Sequence, residues 1–164
     1  MRTLSPAARD CLFLCISYAC DVTALNAGTA LAASLDGAPI DVLIYNAGVN
    51  PRDGDKDGNQ PLVMNTNGIA PFLVITPLLE NVGASALKKV ALVSSQLGSR
   101  EEFGSGAIPT PIYHASKCVL NDGFRAQEPL WREAYGLTSI IFHPVWHTSV
   151  MRDVGAGCLT PQPA

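Results

Sequence analysis

Residues 40–48 read Ile-Asp-Val-Leu-Ile-Tyr-Asn-Ala-Gly, a short apolar run that ends in a polar turn with a glycine. The same pattern recurs at 88–94, before Ser95, and at 137–142, before His143 and Pro144. Continuous apolar runs of this length, bounded by turn residues, are typical of strands buried on both faces of a parallel sheet. The three runs therefore predict an α/β protein.

The segments between these runs have the composition of helices and loops. Strands alternating with helices indicate a doubly wound parallel sheet in three α/β/α layers, within one domain spanning 1–164. Pro71 and Pro77 are expected to bend or split the second helix, and Pro129 to strain the third. We predict strands at 12–19, 40–45, 88–94 and 137–142, helices at 25–35, 62–80 and 112–135, loops at 50–60 and 96–111, and a frayed tail at 155–164.

Composition limits the possible partners and the compartment. The chain has 164 residues, of which 48% are hydrophobic and 15% charged, as expected for a soluble globular domain. Its net charge is −3 and it contains no basic block, which argues against nucleic acid and anionic membranes as partners. An odd count of five cysteines indicates reduced thiols, so a cytoplasmic location is expected.

Two patterns suggest metal binding only weakly, and we expect no metal. The cysteines at positions 11, 15 and 20 lack the C-x2-C step of structural zinc sites. The run from Asp53 to Gly58 matches the first half of a calcium loop, but the glutamate that such a loop needs at its twelfth position is Met64. The alternative interpretations are a buried strand for the cysteines and a solvated turn for residues 53–58.

The stretch Tyr113-His114-Ala115-Ser116-Lys117 carries the chemistry. Residues four apart share a helix face, so the phenol and the ammonium should lie about one turn apart. A free tyrosine titrates near ~10, and a neighbouring cation is expected to lower its pKa. With the hydroxyl of Ser95 near them, these groups could protonate a carbonyl oxygen. His114, like the other two histidines (His143 and His147), has no partner at catalytic spacing and is interpreted as structural or exposed.

These motifs occur in the order found in short-chain dehydrogenases/reductases, which the chain resembles from about residue 21 to 151. The resemblance implies a partial Rossmann-like fold and hydride transfer between a nicotinamide cofactor and a small carbonyl or alcohol. It assigns proton donation to Tyr113, lowering of the tyrosine pKa and ribose binding to Lys117, and substrate binding to Ser95. Asn65 would hold a water that links Lys117 to solvent.

The resemblance also implies residues that bind NADP or NAD, with a slight preference for NADP, and a possible homodimer through helices 62–80 and 112–135. Pro144 and Ser149 stand where the family contacts the nicotinamide end. The cofactor-binding set is Asp21, Val22, Asn46, Ala47, Gly48, Tyr113, Lys117, Pro144 and Ser149.

One departure from the family leaves a second interpretation open. The sequence contains no Gly-x-Gly-x-x-Gly stretch, the turn that normally binds the pyrophosphate. We therefore expect the first βαβ unit of the fold to be missing. The alternative function is a non-catalytic remnant of this family, a pseudoenzyme or the product of a truncated gene model, that acts at most as an interaction partner.

Overall fold

A computed structural model describes residues 16–50, 59–99, 101 and 110–144. Several predicted features lie outside the described residues: the calcium-like run at 53–58, the expected tail at 155–164, Cys11, Cys15, His147 and Ser149. So do residues 12–15 of the first predicted strand. The remainder of that prediction is wrong, because residues 16–19 form no strand and pair with none of the described strands.

Among the described residues, three parallel strands form one sheet. They are β1 (Val42–Tyr45), β2 (Lys89–Val93) and β3 (Thr138–Phe142), in the order β1-β2-β3. The register aligns Ile44 with Ala91 and Ala91 with Ile140. These strands fall inside the predicted ranges 40–45, 88–94 and 137–142. The parallel sheet with its helices confirms the partial Rossmann-like α/β class.

The helices follow the predicted pattern with shifted ends. Helix α1 is Ala27–Leu35, and α5 is Pro111–Tyr135. Between β1 and β2 a continuous helical stretch runs over residues 60–83, and a short 3₁₀ turn, Gln96–Gly98, follows β2. The stretch consists of α2 (Gln60–Met64), a π-helical turn (Asn65–Ile69), α3 (Ala70–Ile75), a 3₁₀ turn (Thr76–Leu78) and α4 (Leu79–Gly83).

The prolines explain where the second helix changes its geometry. Pro71 lies in the first turn of α3 and Pro77 within the 3₁₀ turn, positions at which a missing N–H leaves no gap in the helix ladder. The helix thus changes type near both prolines, with a π turn before Pro71 and a 3₁₀ turn at Pro77, while it stays continuous from residue 60 to 83. Pro129, by contrast, is exposed inside α5, and the helix continues through it to Tyr135.

The core lies on one face of the sheet. Tyr45, Val90 and Leu92 point to that face and pack in a single buried cluster with apolar residues of the helical stretch 60–83 and of α5. Both crossovers advance in the same direction along the sheet, and right-handed crossovers then place their helices on the same face. Ile44 and Ile140 point to the other face and are 59% and 57% exposed, so no helix of the described residues covers that face.

Helix α1 packs closely against the helical stretch. A Cβ on Gly28 would lie 2.4 Å from the carbonyl oxygen of Leu73, so only glycine permits this approach of the two backbones. The stretch Gln60–Gly83 is also long and apolar enough to cross a membrane by length and composition, with a mean hydropathy of 1.5 over an 18-residue window. More than half of it is buried inside the fold, as in a core helix of a soluble protein.

Candidate active site

The predicted site residues meet at the carboxyl edge of the sheet. The Asn46-Ala47-Gly48 turn follows β1, Ser94 and Ser95 follow β2, and the first turns of α5 lie above both. In open parallel sheets the crevice at this edge is where ligands bind. The sheet thus brings together residues from Asn46 to Lys117, which lie up to 71 positions apart in the sequence.

Tyr113 and Ser95 interact directly at this edge. The Ser95 hydroxyl is hydrogen-bonded to the Tyr113 phenol, and burial raises the pKa of Tyr113 above its usual value while this hydrogen bond acts in the opposite direction. The neutral phenol is therefore the stable form at neutral pH. A phenol of this kind can give a proton to an oxygen placed beside it.

Lys117 lies one turn further along α5, with only 4% of its surface exposed. Its Nζ donates a hydrogen bond of 3.0 Å to the carbonyl oxygen of Val93, the last residue of β2. It lies 5.8 Å from the centroid of the Tyr113 ring. Burial lowers the pKa of the ammonium from 10.5 to about 8, because the charged form loses solvation.

The structure corrects the expected electrostatics of this pair. We expected the cation of Lys117 to lower the tyrosine pKa, whereas burial dominates and raises it. The two side chains are close, as the four-residue spacing predicts, but burial acts on both of them: it raises the pKa of the tyrosine and lowers that of the lysine. The arrangement therefore favours a protonated tyrosine.

The asparagine at this site is Asn67, and Asn65 contacts a different segment. The Asn67 side chain is fully buried; its Nδ2 donates to the carbonyl oxygen of Val49 and its Oδ1 accepts from the Val49 N–H, each at 2.8 Å. Its Nδ2 also lies 3.1 Å from the Ser116 Oγ. Asn65, which the sequence suggested, reaches the carbonyl oxygen of Thr23 at 3.5 Å.

The position of Asn67 at the site, which sequence analysis missed, follows from the local helix geometry. The turn from Asn65 to Ile69 is π-helical, and a π turn changes which helix positions face the sheet. Both asparagines stand on one short run, and sequence spacing alone gives no signal for a π turn. Asn67 is the one that ties this helix to the turn after β1.

The remaining predicted cofactor residues lie around the same edge. Asp21 is exposed, and hydrogen bonds from the Thr23 hydroxyl and N–H lower the pKa of its carboxyl. Val22 is half-buried against the core. Asn46 is exposed, Ala47 packs against the core, and Pro144 follows β3. Asn46 and Ala47 after β1 and Pro144 after β3 thus lie at the carboxyl edge. The cofactor-binding roles of all five residues stay predictions.

A cleft of ≈ 350 Å³ opens beside Ser95, between the ends of β2 and β3 and helix α5. Its lining includes Ser94, Ser95, Asn121 and Phe142. Tyr113 and Lys117 do not line it. Within the described part of the chain, no group of three or more histidine, cysteine, aspartate or glutamate residues could hold a metal ion.

Comparison with known proteins identifies the family, although no family model matches the chain. The C-signal of Myxococcus xanthus is 32% identical over 130 residues, which are 77% of this chain and 75% of that protein. The carbonyl reductase from chicken fatty liver, solved with NADPH, has a TM-score of 0.72 and 27% identity over 86% of this chain and 62% of its own.

A short-chain dehydrogenase/reductase of Burkholderia multivorans, solved with NADP, has a TM-score of 0.69 and 25% identity over 84% of this chain and 61% of its own. The chain thus spans about three fifths of the length of these solved structures. The order of the motifs, the parallel sheet and these similarities agree, and the chain belongs to the short-chain dehydrogenase/reductase family.

Proposed function

We propose that this chain is an NAD(P)-dependent oxidoreductase that reduces a small carbonyl compound, with Tyr113 as the proton donor. The observation that carries the proposal is the grouping of Ser95, Tyr113 and Lys117 at the carboxyl edge of the sheet. The similarity to reductases solved with NADPH or NADP supports it at the level of the family.

The residues at this edge fit the ribose end of a nicotinamide cofactor. Lys117 carries three N–H donors, of which the Val93 carbonyl takes one. The neighbouring Gly48 has no side chain, and a Cβ there would lie 3.7 Å from the Lys117 Nζ. The ammonium thus lies directly beneath the exposed turn at Gly48, and Lys117 would bind the ribose hydroxyls there.

When bound, the cofactor supplies the hydride that reduces the carbonyl carbon. The residues of the chain would act on the carbonyl oxygen. The Ser95 hydroxyl would donate a hydrogen bond to it, and the Tyr113 phenol would transfer its proton to it. The ammonium of Lys117 would stabilise the phenolate that remains, since an opposite charge nearby favours the ionised form.

The pKa of Tyr113 favours the reductive direction. Reduction needs a protonated phenol, and burial raises the pKa and keeps the phenol protonated at neutral pH. Oxidation of an alcohol needs the phenolate as a base, which burial disfavours. At neutral pH the site thus holds the form of the phenol that reduction requires.

The test is consumption of NADPH and NADH with a panel of small aldehydes and ketones. Tyr113→Phe should lower kcat by about 100-fold or more, the usual size of a general-acid contribution. The matched control is Tyr135→Phe, at the far end of α5, which should retain activity. Equal rates for the wild type and Tyr113→Phe would contradict the proposed role of the phenol.

A second candidate function is that of a family member that no longer turns over substrate. The observation that favours it is the lack of a Gly-x-Gly-x-x-Gly stretch in the sequence. Backbone N–H groups of that turn normally hold the pyrophosphate, and each lost hydrogen bond to a charged group costs roughly 1–3 kcal/mol. This candidate predicts a folded protein that binds neither NADPH nor NADH.

We also propose that the protein is a cytoplasmic homodimer through helices 62–80 and 112–135. The outer faces of these helices carry exposed apolar side chains, as at Leu62 and Ile69 on one helix and at Val119 and Leu130 on the other. Exposed apolar side chains that cluster on a surface are typical of interfaces. Sedimentation equilibrium should give a dimer mass, and Leu130→Glu should shift it towards the monomer.

A further inference from the structure

The position of the Ser95 hydroxyl depends on the turn that follows it. Ser95 is the N-cap of the 3₁₀ turn Gln96–Gly98, and its Oγ accepts a hydrogen bond of 3.2 Å from the Leu97 N–H. We call Ser95 and this turn the serine turn. Because the hydroxyl caps the turn while bonding Tyr113, a shift of the turn would move Ser95 relative to the phenol.

Asn121 on α5 holds the serine turn from both sides. Its Nδ2 donates a hydrogen bond of 3.0 Å to the carbonyl oxygen of Gly98, after Ser95. Its Oδ1 accepts a hydrogen bond of 2.6 Å from the hydroxyl of Ser94, before Ser95. A carbonyl oxygen can only accept, so these two partners also fix the orientation of the amide.

His114 provides a further attachment in the middle of the turn. Its Nδ1 is hydrogen-bonded to the carbonyl oxygen of Leu97, so this nitrogen carries the proton. His114 immediately follows Tyr113, whereas Asn121 lies two turns further along α5. The same helix therefore carries the phenol and three side chains that bind the serine turn, because the Sγ of Cys118 also lies 3.4 Å from the carbonyl oxygen of Gly98.

The turn also lies directly on the helix. A Cβ on Gly98 would lie 2.8 Å from the Asn121 Nδ2 and 2.9 Å from the carbonyl oxygen of Lys117, distances too short for any other residue without a shift. Glycine at this position thus allows the turn to approach the helix at the level of Lys117. The serine turn and the first three turns of α5 form one unit.

We propose that Asn121 and His114 are positioning residues that hold Ser95 against Tyr113 by fixing the serine turn on α5. The use of this contact in carbonyl reduction rests on the function proposed above, but the contact itself does not. Neither side chain needs to touch the substrate or the cofactor for this role. Each acts on the phenol through Ser95.

The test is a titration of Tyr113 by NMR in protein labelled with ¹³Cζ-tyrosine, with the signal assigned by Tyr113→Phe. The hydrogen bond from Ser95 lowers the Tyr113 pKa, so Ser95→Ala should raise it. Asn121→Ala should raise the pKa in the same direction, and the double variant should show no further increase. His114→Ala should give a smaller shift of the same sign, because Asn121 still binds the turn.

The matched control is Asn81→Ala. The Asn81 side chain is also buried and donates a 2.8 Å hydrogen bond to a backbone carbonyl, that of Ala38, far from the serine turn. It should lower stability without moving the Tyr113 titration. Should Asn121→Ala fail to fold, Ser94→Ala, which removes one of the two Asn121 contacts, takes its place in the same cycle with Ser95→Ala.

Two results would overturn the proposal: a Tyr113 titration in Asn121→Ala that matches the wild type, or shifts of Asn121→Ala and Ser95→Ala that add in the double variant. Because the titration needs no cofactor, its outcome is separate from that of the proposed function. If the chain is also an active reductase, Asn121→Ala should lower kcat about as much as Ser95→Ala, with little change in the KM for the cofactor.

Discussion

Replacing Lys117 by methionine should stabilise the protein, and the gain should depend on pH. Methionine has a similar length and no charge, so the substitution removes the desolvated ammonium from the core. The shift of the Lys117 pKa from 10.5 to about 8 corresponds to about 3 kcal/mol, at about 1.4 kcal/mol per unit.

The direction of this pH dependence follows from the lowered pKa of Lys117. The folded state binds the lysine proton less tightly than the unfolded state, so below about pH 8 folding carries the full cost of a buried charge. This cost falls as the pH rises from about 8 to 10.5 and disappears above that range. The stability of Lys117→Met relative to the wild type should therefore be about 2–3 kcal/mol greater at pH 7 than at pH 10.5.

The assay is urea unfolding of both proteins at pH 7, 8, 9.5 and 10.5, followed by circular dichroism. The difference between the two pH extremes is the relevant quantity, because changes in packing and the other titrating groups are common to both and cancel. Lys89→Met, at an exposed lysine of β2, is the control and should change stability by less than about 0.5 kcal/mol throughout. A gain for Lys117→Met that does not vary with pH would refute the reasoning.

Three further substitutions test the packing. Gly28→Ala should destabilise the fold by about 2 kcal/mol or more in thermal unfolding, because its Cβ would lie 2.4 Å from the Leu73 carbonyl oxygen; an unchanged melting temperature would contradict this contact. Leu92→Ala should cost about 2–5 kcal/mol and Ile140→Ala less than about 1 in urea unfolding, since they lie on opposite faces of β2 and β3; equal losses would mean that both faces are buried. Asn67→Ala should lower the free energy of unfolding by about 2–3 kcal/mol in the same measurement, because it removes two buried hydrogen bonds to the backbone; a loss as small as that for an exposed asparagine would argue against these bonds.

The strands were predictable because their signal is local. Apolar runs bounded by polar turns gave β1, β2 and β3 to within two residues at each end, and the parallel class followed from the helices between them. The first predicted strand failed over residues 16–19, although its composition is similar. A strand is stabilised by pairing with neighbouring strands, and the composition of a segment does not show whether such a neighbour is present.

The identity of the site asparagine was not predictable from spacing. Asn65 and Asn67 are two positions apart, and on a regular helix they face different directions. The π turn between residues 65 and 69 decides which of them faces the turn after β1. Such a turn results from packing against the rest of the fold, and no residue type in the run predicts it.

The environment of His114 could not be inferred either. Its partner is the carbonyl oxygen of Leu97. Every residue type has this backbone atom, so the sequence does not indicate the contact. The Tyr113–Lys117 spacing correctly predicted proximity, but the direction of the Tyr113 pKa shift depends on burial. Burial at a crevice is a property of the assembled fold.

The most direct test of the central proposal is titration calorimetry of the purified protein with NADPH and NADH, with Lys117→Ala and Tyr113→Phe alongside. If the chain is a nicotinamide-dependent reductase, the wild type should bind at least one of them with micromolar affinity. Lys117→Ala should weaken binding about 10-fold or more, the effect of losing one or two hydrogen bonds from a charged group. Tyr113→Phe should bind nearly as well as the wild type. No binding of either cofactor by folded wild-type protein would contradict the proposal and leave the non-catalytic family member.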